Sequence, residues 1–190
     1  MARFLTAVVI TLVVLAGLAG AFIYTGVYDI GADAPHSSFV YSMLEMLRDN
    51  SIAKHAKGIA APQDLSSPKR IATGAGLYNE MCTGCHLGPG LERSEMSQGL
   101  YPAAPELARG DDLSPAEQFW TIKHGVKLSA MPSWGKTHSD ELIWDMVAFV
   151  RQMPRMSPEQ YKAAVASAPE SHEEMMEGMD KETVPHGHTH

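Results

Sequence analysis

Both cysteines of the 190-residue chain lie in one pentapeptide, Cys82-Thr83-Gly84-Cys85-His86. The spacing C-x-x-C-H is typical of covalent porphyrin attachment. Each thiol adds to one vinyl group of the porphyrin, and two intervening residues on a helical turn separate the sulfur atoms to match the two vinyl groups. The next residue is carried beneath the iron, where an imidazole binds it. The motif therefore predicts one haem c, bound through Cys82 and Cys85, with His86 as an axial iron ligand.

Two other uses of a cysteine pair fit this sequence less well. A thioredoxin-like redox pair does not need His86 and usually sits beside a βαβ unit, of which the sequence shows no sign. A zinc site needs a second pair of ligands, and the chain has no other cysteine. Haem attachment is the interpretation that uses all three side chains of the motif.

The second axial ligand must come from elsewhere, and methionine sulfur is the usual partner that raises the reduction potential. Most of the 12 methionines lie beside the motif, on helices, in the connector or in the tail, which leaves Met96 and Met131. Met131 precedes Pro132 in a loop, where proline fixes the backbone, and Trp134 offers a flat apolar shield. We predict Met131 as the iron ligand, with Met96 and His138 as the alternatives.

Residues 67–155 resemble the class I cytochrome c family in more than the haem motif. The family has a glycine and an aromatic residue eight and four residues before the first cysteine, positions that Gly74 and Tyr78 occupy here. In the family these two pack against an aliphatic–aromatic pair on the last helix, which Met146 and Phe149 match. The resemblance implies a close helix crossing at the glycine. It also implies an all-α cytochrome c domain of three or more helices around one haem.

A further element of the family is a proline two residues before a leucine, after the haem motif. Pro105-Glu106-Leu107 is similar to it. By resemblance, the Pro105 carbonyl accepts a hydrogen bond from the ring nitrogen of His86 that does not face the iron, which orients the ring and raises its basicity. Pro102 is the weaker candidate for this role.

The N-terminal segment, residues 1–28, is a predicted transmembrane anchor, which the soluble members of the family lack. An apolar run without charge extends from Phe4 to Tyr24, and about 20 apolar residues span a hydrocarbon core of ~30 Å. Arg3 places the N-terminus in the cytoplasm by the positive-inside rule. The alternative is a signal peptide cleaved near Ala21, although the apolar region of such peptides is usually only about 7–15 residues long. We predict a single pass through the cytoplasmic (inner) membrane, with the haem domain in the periplasm.

Composition divides the remainder of the chain into three regions. Residues 29–66 form a helical connector, with a predicted helix over 36–57 in which apolar residues recur every three or four positions. Residues 67–162 form the cytochrome c domain. Residues 163–190 are polar, acidic and rich in histidine and methionine, and we predict that this tail is disordered.

Serine N-caps mark the starts of three helices in the central domain. Segments 87–110 and 129–137 are rich in glycine and proline and are predicted loops. No run alternates between apolar and polar residues, so the fold class is all-α. The predicted starts are Ser67-Pro68, Ser114-Pro115 with Glu117 in the capping-box position, and Ser139 or Asp140.

Most of the net charge of −7 lies in the tail, where six acidic residues face a single lysine. The body of the chain is near neutral and has no basic stripe, which excludes nucleic-acid binding. The tail also carries ligand types for copper or another soft or borderline metal, so a metal site there is a further hypothesis. The residues concerned are His172, Met175, Met176, Met179, His186, His188 and His190.

With His86 and Met131 both bound to the iron, no coordination site is left for a substrate. The sequence therefore predicts an electron-transfer protein rather than an enzyme, which carries one electron at a time between redox proteins of unknown identity. One alternative is a haem-based sensor or small-ligand binder in which Met131 is displaced. The other is an electron-relay subunit of a larger oxidoreductase complex.

Overall fold

The computed structural model describes residues 1–168, which form α-helices joined by loops and short 3-10 turns. No strand occurs within these residues, which confirms the predicted all-α fold. The chain divides into two units, residues 1–35 and the residues from His36 onward. The helices within residues 1–168 are α1 (Ala2–Thr25), α2 (Ser38–His55), α3 (Pro68–Met81), α4 (Thr83–His86), α5 (Glu95–Gly99), α6 (Pro115–His124), α7 (Asp140–Gln152) and α8 (Pro158–Ala166).

The first unit consists mainly of α1, none of whose residues is buried against protein. At 1.5 Å per residue its 24 residues extend for about 36 Å, more than the ~30 Å hydrocarbon core of a bilayer. By length and composition α1 could therefore cross a membrane, a property that it shares with signal sequences. The helix ends at Gly26, whose φ of 62° lies in the left-handed region.

Serine caps begin the helices of the second unit at the predicted positions. The hydroxyl of Ser67 accepts a hydrogen bond from a backbone N–H of the first turn of α3, where Pro68 stands first. Ser114 and Glu117 form a complete capping box at α6, and Ser139 caps α7. Each side chain satisfies an N–H group that has no partner within its own helix. The starts predicted for α3, α6 and α7 are confirmed.

The close crossing of α3 and α7 forms the centre of the second unit. A β-carbon at Gly74 would overlap the backbone carbonyl of Asp145 and lie 2.9 Å from Cβ of Phe149. One turn further along α3, the rings of Tyr78 and Phe149 meet with their centroids 5.4 Å apart. Met146 is fully buried in the same core. The helix pair implied by the family resemblance is thus present.

An ion-pair network ties the first turn of α3 to α7. Nη1 of Arg70 lies 2.6 Å from Oε2 of Glu141 and 2.7 Å from Oδ1 of Asp145. Nε of the same guanidinium lies 3.0 Å from Oδ1 of Asp64. Because the Arg70 side chain is only 13% exposed, solvent and salt screen these pairs less than they would on an open surface.

The predicted connector helix is confirmed as α2, which packs against α6. Ile52 on α2 and the following Ala56 are buried. The ring of His55 stacks on that of Trp120 of α6, with the centroids 5.5 Å apart. The apolar side chains that gave α2 its helical period are otherwise largely exposed, among them Phe39, Met43, Met46 and Leu47.

Two short helices lie where the sequence predicted none. α5 stands inside the predicted loop 87–110 and begins at Ser94, whose hydroxyl accepts a hydrogen bond from the N–H of Ser97. α8 begins with a capping box formed by Ser157 and Gln160. Both helices begin at a serine cap, and neither has a long run of apolar residues at helical spacing.

The position of α8 shifts the start of the predicted tail. α8 includes residues 163–166, which the sequence had assigned to the tail. The helix is fixed by Tyr161, which is buried with its ring centroid 6.0 Å from that of Phe149. The predicted metal ligands of the tail all fall within residues 169–190, outside the described residues.

Candidate haem site

One cavity of about 560 Å³ brings the predicted site residues together. Its walls come from α2, from the junction of α3 and α4, from the segment that follows α5, from α6 and from the loop before α7. Cofactor pockets in proteins typically measure about 300–1,000 Å³. The predicted residues that line the cavity are Cys82, Cys85, His86, Pro105, Met131 and Trp134.

Helical geometry places the two thiols and the imidazole on one wall of the cavity. α3 ends just before Cys82, and α4, Thr83–His86, continues from it. The backbone N–H of His86 donates to the carbonyl of Cys82 over 2.9 Å. The hydroxyl of Tyr78 donates to the carbonyl of Leu87 over 2.6 Å, which fixes the turn directly after the imidazole.

Burial sets the protonation of the motif. It raises the pKa of the Cys82 thiol to about 12, and the neighbouring Cys85 acts in the same direction. Burial lowers the pKa of His86, partly opposed by the hydrogen bond of its ring to the Pro105 carbonyl. The thiol of Cys82 and the imidazole of His86 are therefore both neutral near pH 7.

The hydrogen bond between His86 and Pro105 fixes which ring nitrogen is available to a metal. Nδ1 of His86 lies 2.9 Å from the Pro105 carbonyl oxygen. Since a carbonyl only accepts, Nδ1 carries the hydrogen and Nε2 has the lone pair. Metal-binding histidines are commonly oriented in this way. Pro102 also lines the cavity, but the hydrogen bond goes to the carbonyl of Pro105.

A glycine and a serine shape the loop that carries Met131. Gly125, directly after α6, has a φ of +66°, and a β-carbon there would lie 2.6 Å from the carbonyl oxygen of Met131. The N–H of Val126 donates to that carbonyl over 3.2 Å, and the N–H of Met131 donates to the hydroxyl of Ser129 over 3.1 Å. Gly125 was not among the predicted site residues, although a glycine directly after a helix is a signal for such a turn.

Neither of the two alternative iron ligands lines this cavity, as residues 1–168 define it, although each contacts a residue that does. Met96 is 61% exposed, and its Sδ lies 3.3 Å from Sγ of Cys85. His138 is buried, and its Nδ1 lies 2.9 Å from the hydroxyl of Thr137. Of the three candidates, Met131 is the one that lines the cavity.

The chemistry of the cavity fits a haem c. Two thiols, a neutral imidazole and a thioether are the donor set of a haem c with histidine and methionine ligands. Oγ1 of Thr121, which lines the cavity on α6, is buried and has no hydrogen-bond partner within residues 1–168. A buried polar atom left without a partner costs about 1–3 kcal/mol, so a ligand with a polar group in this cavity would relieve that cost.

The two helices that the sequence did not predict support the motif from outside. The hydroxyls of Thr83 and Tyr161 of α8 lie 3.1 Å apart. Ser94, at the start of α5, donates from its hydroxyl to the carbonyl of Gly84. For α8 the signal was present, because Ser157-Pro158-Glu159-Gln160 repeats the cap pattern that begins α6.

A comparison with protein families gives a match for this region. Residues 69–150 match the family model described as cytochrome c oxidase, cbb3-type, subunit III. The match begins in the first turn of α3 and ends within α7, so it includes all the predicted site residues but neither α2 nor α8. Comparisons with curated proteins and with solved structures gave no match.

Proposed function

The chain belongs to the class I c-type cytochromes through its domain at residues 69–150, and on this premise we propose that it carries single electrons on the periplasmic face of a membrane. Domains of this family serve haem-based electron transfer. The observation that carries the proposal is the shared cavity, which Cys82, Cys85, His86 and Met131 line together.

Each of these residues has a separate task. Cys82 and Cys85 hold one haem c through two thioether bonds. His86, oriented by the Pro105 carbonyl, and Met131 would be the two protein ligands of its iron. When bound, the haem c supplies an iron that alternates between the ferric and ferrous states. With both of these ligands bound, the iron would have no coordination site for a substrate, which suits electron transfer rather than chemistry at the metal.

The surroundings of the site favour a raised reduction potential. Methionine ligation and low exposure of the haem both disfavour the more highly charged ferric state. Trp134 lines the cavity in the loop after Met131, where it shields the iron–sulfur bond from water. The predicted role of the protein follows: it accepts an electron from one redox protein and passes it to another.

The location follows from the N-terminal helix. In this proposal α1 is the uncleaved anchor, with Arg3 in the cytoplasm and the haem domain in the periplasm. Domains of this family are typically extracytoplasmic. A single span through the inner membrane would keep the cytochrome close to membrane-bound redox partners.

The cysteine variants test the haem assignment directly. We expect the full-length protein to carry covalent haem, with the pyridine haemochrome spectrum of two thioether bonds. Cys82→Ser or Cys85→Ser should each leave one thioether bond and shift that spectrum. The double variant should have no covalent haem, so that none stays with the chain after denaturation. The measurement is haem staining after denaturing electrophoresis, combined with the haemochrome spectrum.

Carbon monoxide distinguishes the carrier from a ligand-binding sensor. An electron carrier with both axial ligands in place should bind carbon monoxide slowly or not at all in its reduced form. Rapid binding by the native reduced protein would contradict the carrier function and favour the sensor.

A second candidate function is an electron relay within a larger complex, and the description of the matched family favours it. That description names a subunit of a cytochrome c oxidase. Extraction in a mild detergent, followed by native electrophoresis with haem staining, separates the two possibilities. A haem band at the size of the single chain supports the tethered carrier, whereas a large band with further haem-containing chains supports the relay subunit.

A further inference from the structure

The helix α2 forms one wall of the haem cavity, although it lies outside the residues that match the family. Its position is fixed by the burial of Ile52 and by the stack of His55 on Trp120. The lining residues that it contributes are Tyr41, Glu45, Arg48, Asp49 and Ile52.

α2 also lies beside two segments that lead into the site. A second, open cavity of about 750 Å³ runs between α2, the Tyr101-Pro102 segment and residues 126–129. The first of these segments leads to Pro105 and the second leads to Met131. The rings of Tyr41 and Tyr101 lie with their centroids 6.5 Å apart. α2 therefore lies beside both of the segments that lead to the predicted site residues.

Charge distinguishes one residue of this wall. Within residues 1–168, Arg48 is the single lysine or arginine that lines the haem cavity, against four carboxylates. A haem c brings two further carboxylates, its propionates, which need donors or positive charge once they leave bulk water. The four acidic residues repel propionates. They are Glu45, Asp49, Asp111 and Asp112.

The present ion pairs of Arg48 are too weak to hold its guanidinium in one place. Its guanidinium lies 2.8 Å from Oδ1 of Asp49 and 3.6 Å from Oε1 of Glu45, both neighbours on the same helix. These side chains are 60% and 40% exposed, and exposed pairs of this kind contribute only about 0–1 kcal/mol. The guanidinium can therefore turn to another carboxylate at little cost, and its planar fork suits a carboxylate well.

We infer that Arg48 binds a haem propionate, which makes α2 a part of the haem pocket that the family domain by itself lacks. This inference rests on the proposed covalent haem. A propionate by itself stabilises the ferric form through its negative charge. The guanidinium of Arg48 offsets that charge and so weakens this stabilisation. Its removal should therefore lower the reduction potential.

The test compares charge removal at Arg48 with the same change at Lys54, an exposed position of α2. Arg48→Gln should lower the reduction potential. At a fixed ambient potential, the ratio of ferric to ferrous protein should become roughly threefold to tenfold larger than in the wild type. Arg48→Lys keeps the charge and should shift the potential less. Lys54→Gln is the matched control, because Lys54 is exposed on the same helix and lines neither cavity.

A second readout separates contact with the propionate from a general charge effect. The propionate bending band in the resonance Raman spectrum of the full-length protein in detergent should shift in Arg48→Gln and Arg48→Lys, and stay in place in Lys54→Gln. An unmoved band in both Arg48 variants overturns the inference, even if the potential falls, because Arg48 would then act only through Glu45 and Asp49. A wild-type chain without covalent haem would instead contradict the proposed function itself.

Discussion

Replacing Met131 with alanine is expected to abolish the methionine–iron charge-transfer band and to lower the reduction potential by on the order of 0.1–0.3 V, a fraction of the ~0.8 V range that axial ligands control. The physical reason is the loss of the thioether, which stabilises the ferrous iron relative to water or a harder ligand. An iron that has lost its methionine ligand should also bind carbon monoxide rapidly. Absorption spectroscopy and a redox titration of the full-length protein measure all three effects.

Met96→Ala is the matched control for this experiment. It removes the same side chain from a site that is 61% exposed and lies beside Cys85, outside the cavity. The band and the potential should stay close to the wild-type values. If Met131→Ala kept the band and Met96→Ala lost it, the ligand would be Met96. If the wild-type protein lacked the band, His138 would be the next candidate.

Gly74→Ala should be the most damaging single substitution for the stability of the haem domain. The new methyl group would overlap the backbone carbonyl of Asp145, and neither backbone can move aside without separating α3 from α7. Overpacked cores commonly lose about 1–3 kcal/mol, and more where the obstacle cannot relax. We therefore expect a loss of more than about 3 kcal/mol. Guanidinium unfolding of the full-length protein in detergent, followed by haem absorbance, measures it.

Gly99→Ala serves as the control, because a β-carbon at Gly99 would have no atom within 4 Å. It should leave the free energy of unfolding within about 0.5 kcal/mol of the wild-type value. A stable Gly74→Ala protein with the wild-type midpoint would show that α3 and α7 do not cross at this glycine.

The helices that begin with strong local caps could be predicted from the sequence. Ser67, Ser114 and Ser139 each supply an acceptor to the first turn, and this interaction needs no information from the rest of the chain. The same signal stands at Ser157, where no helix was predicted. α8 exists because Tyr161 is buried against Phe149, a contact that local sequence does not reveal.

The residues of the candidate site also fall into those that the sequence reveals and those that it does not. The spacing of Cys82, Cys85 and His86 follows from one helical turn and was visible in the sequence. The contribution of α2 was not, because it depends on how a helix outside the family domain packs against α6. Gly125 is an intermediate case, since its position after α6 signalled a turn but not the close approach to the Met131 carbonyl.

The contact between Thr83 and Tyr161 joins residues 78 positions apart in the chain. The contact links the haem motif directly to the last described helix. Loss of α8 would therefore take away a hydrogen-bond partner of the motif itself, and not only a helix that packs on the core.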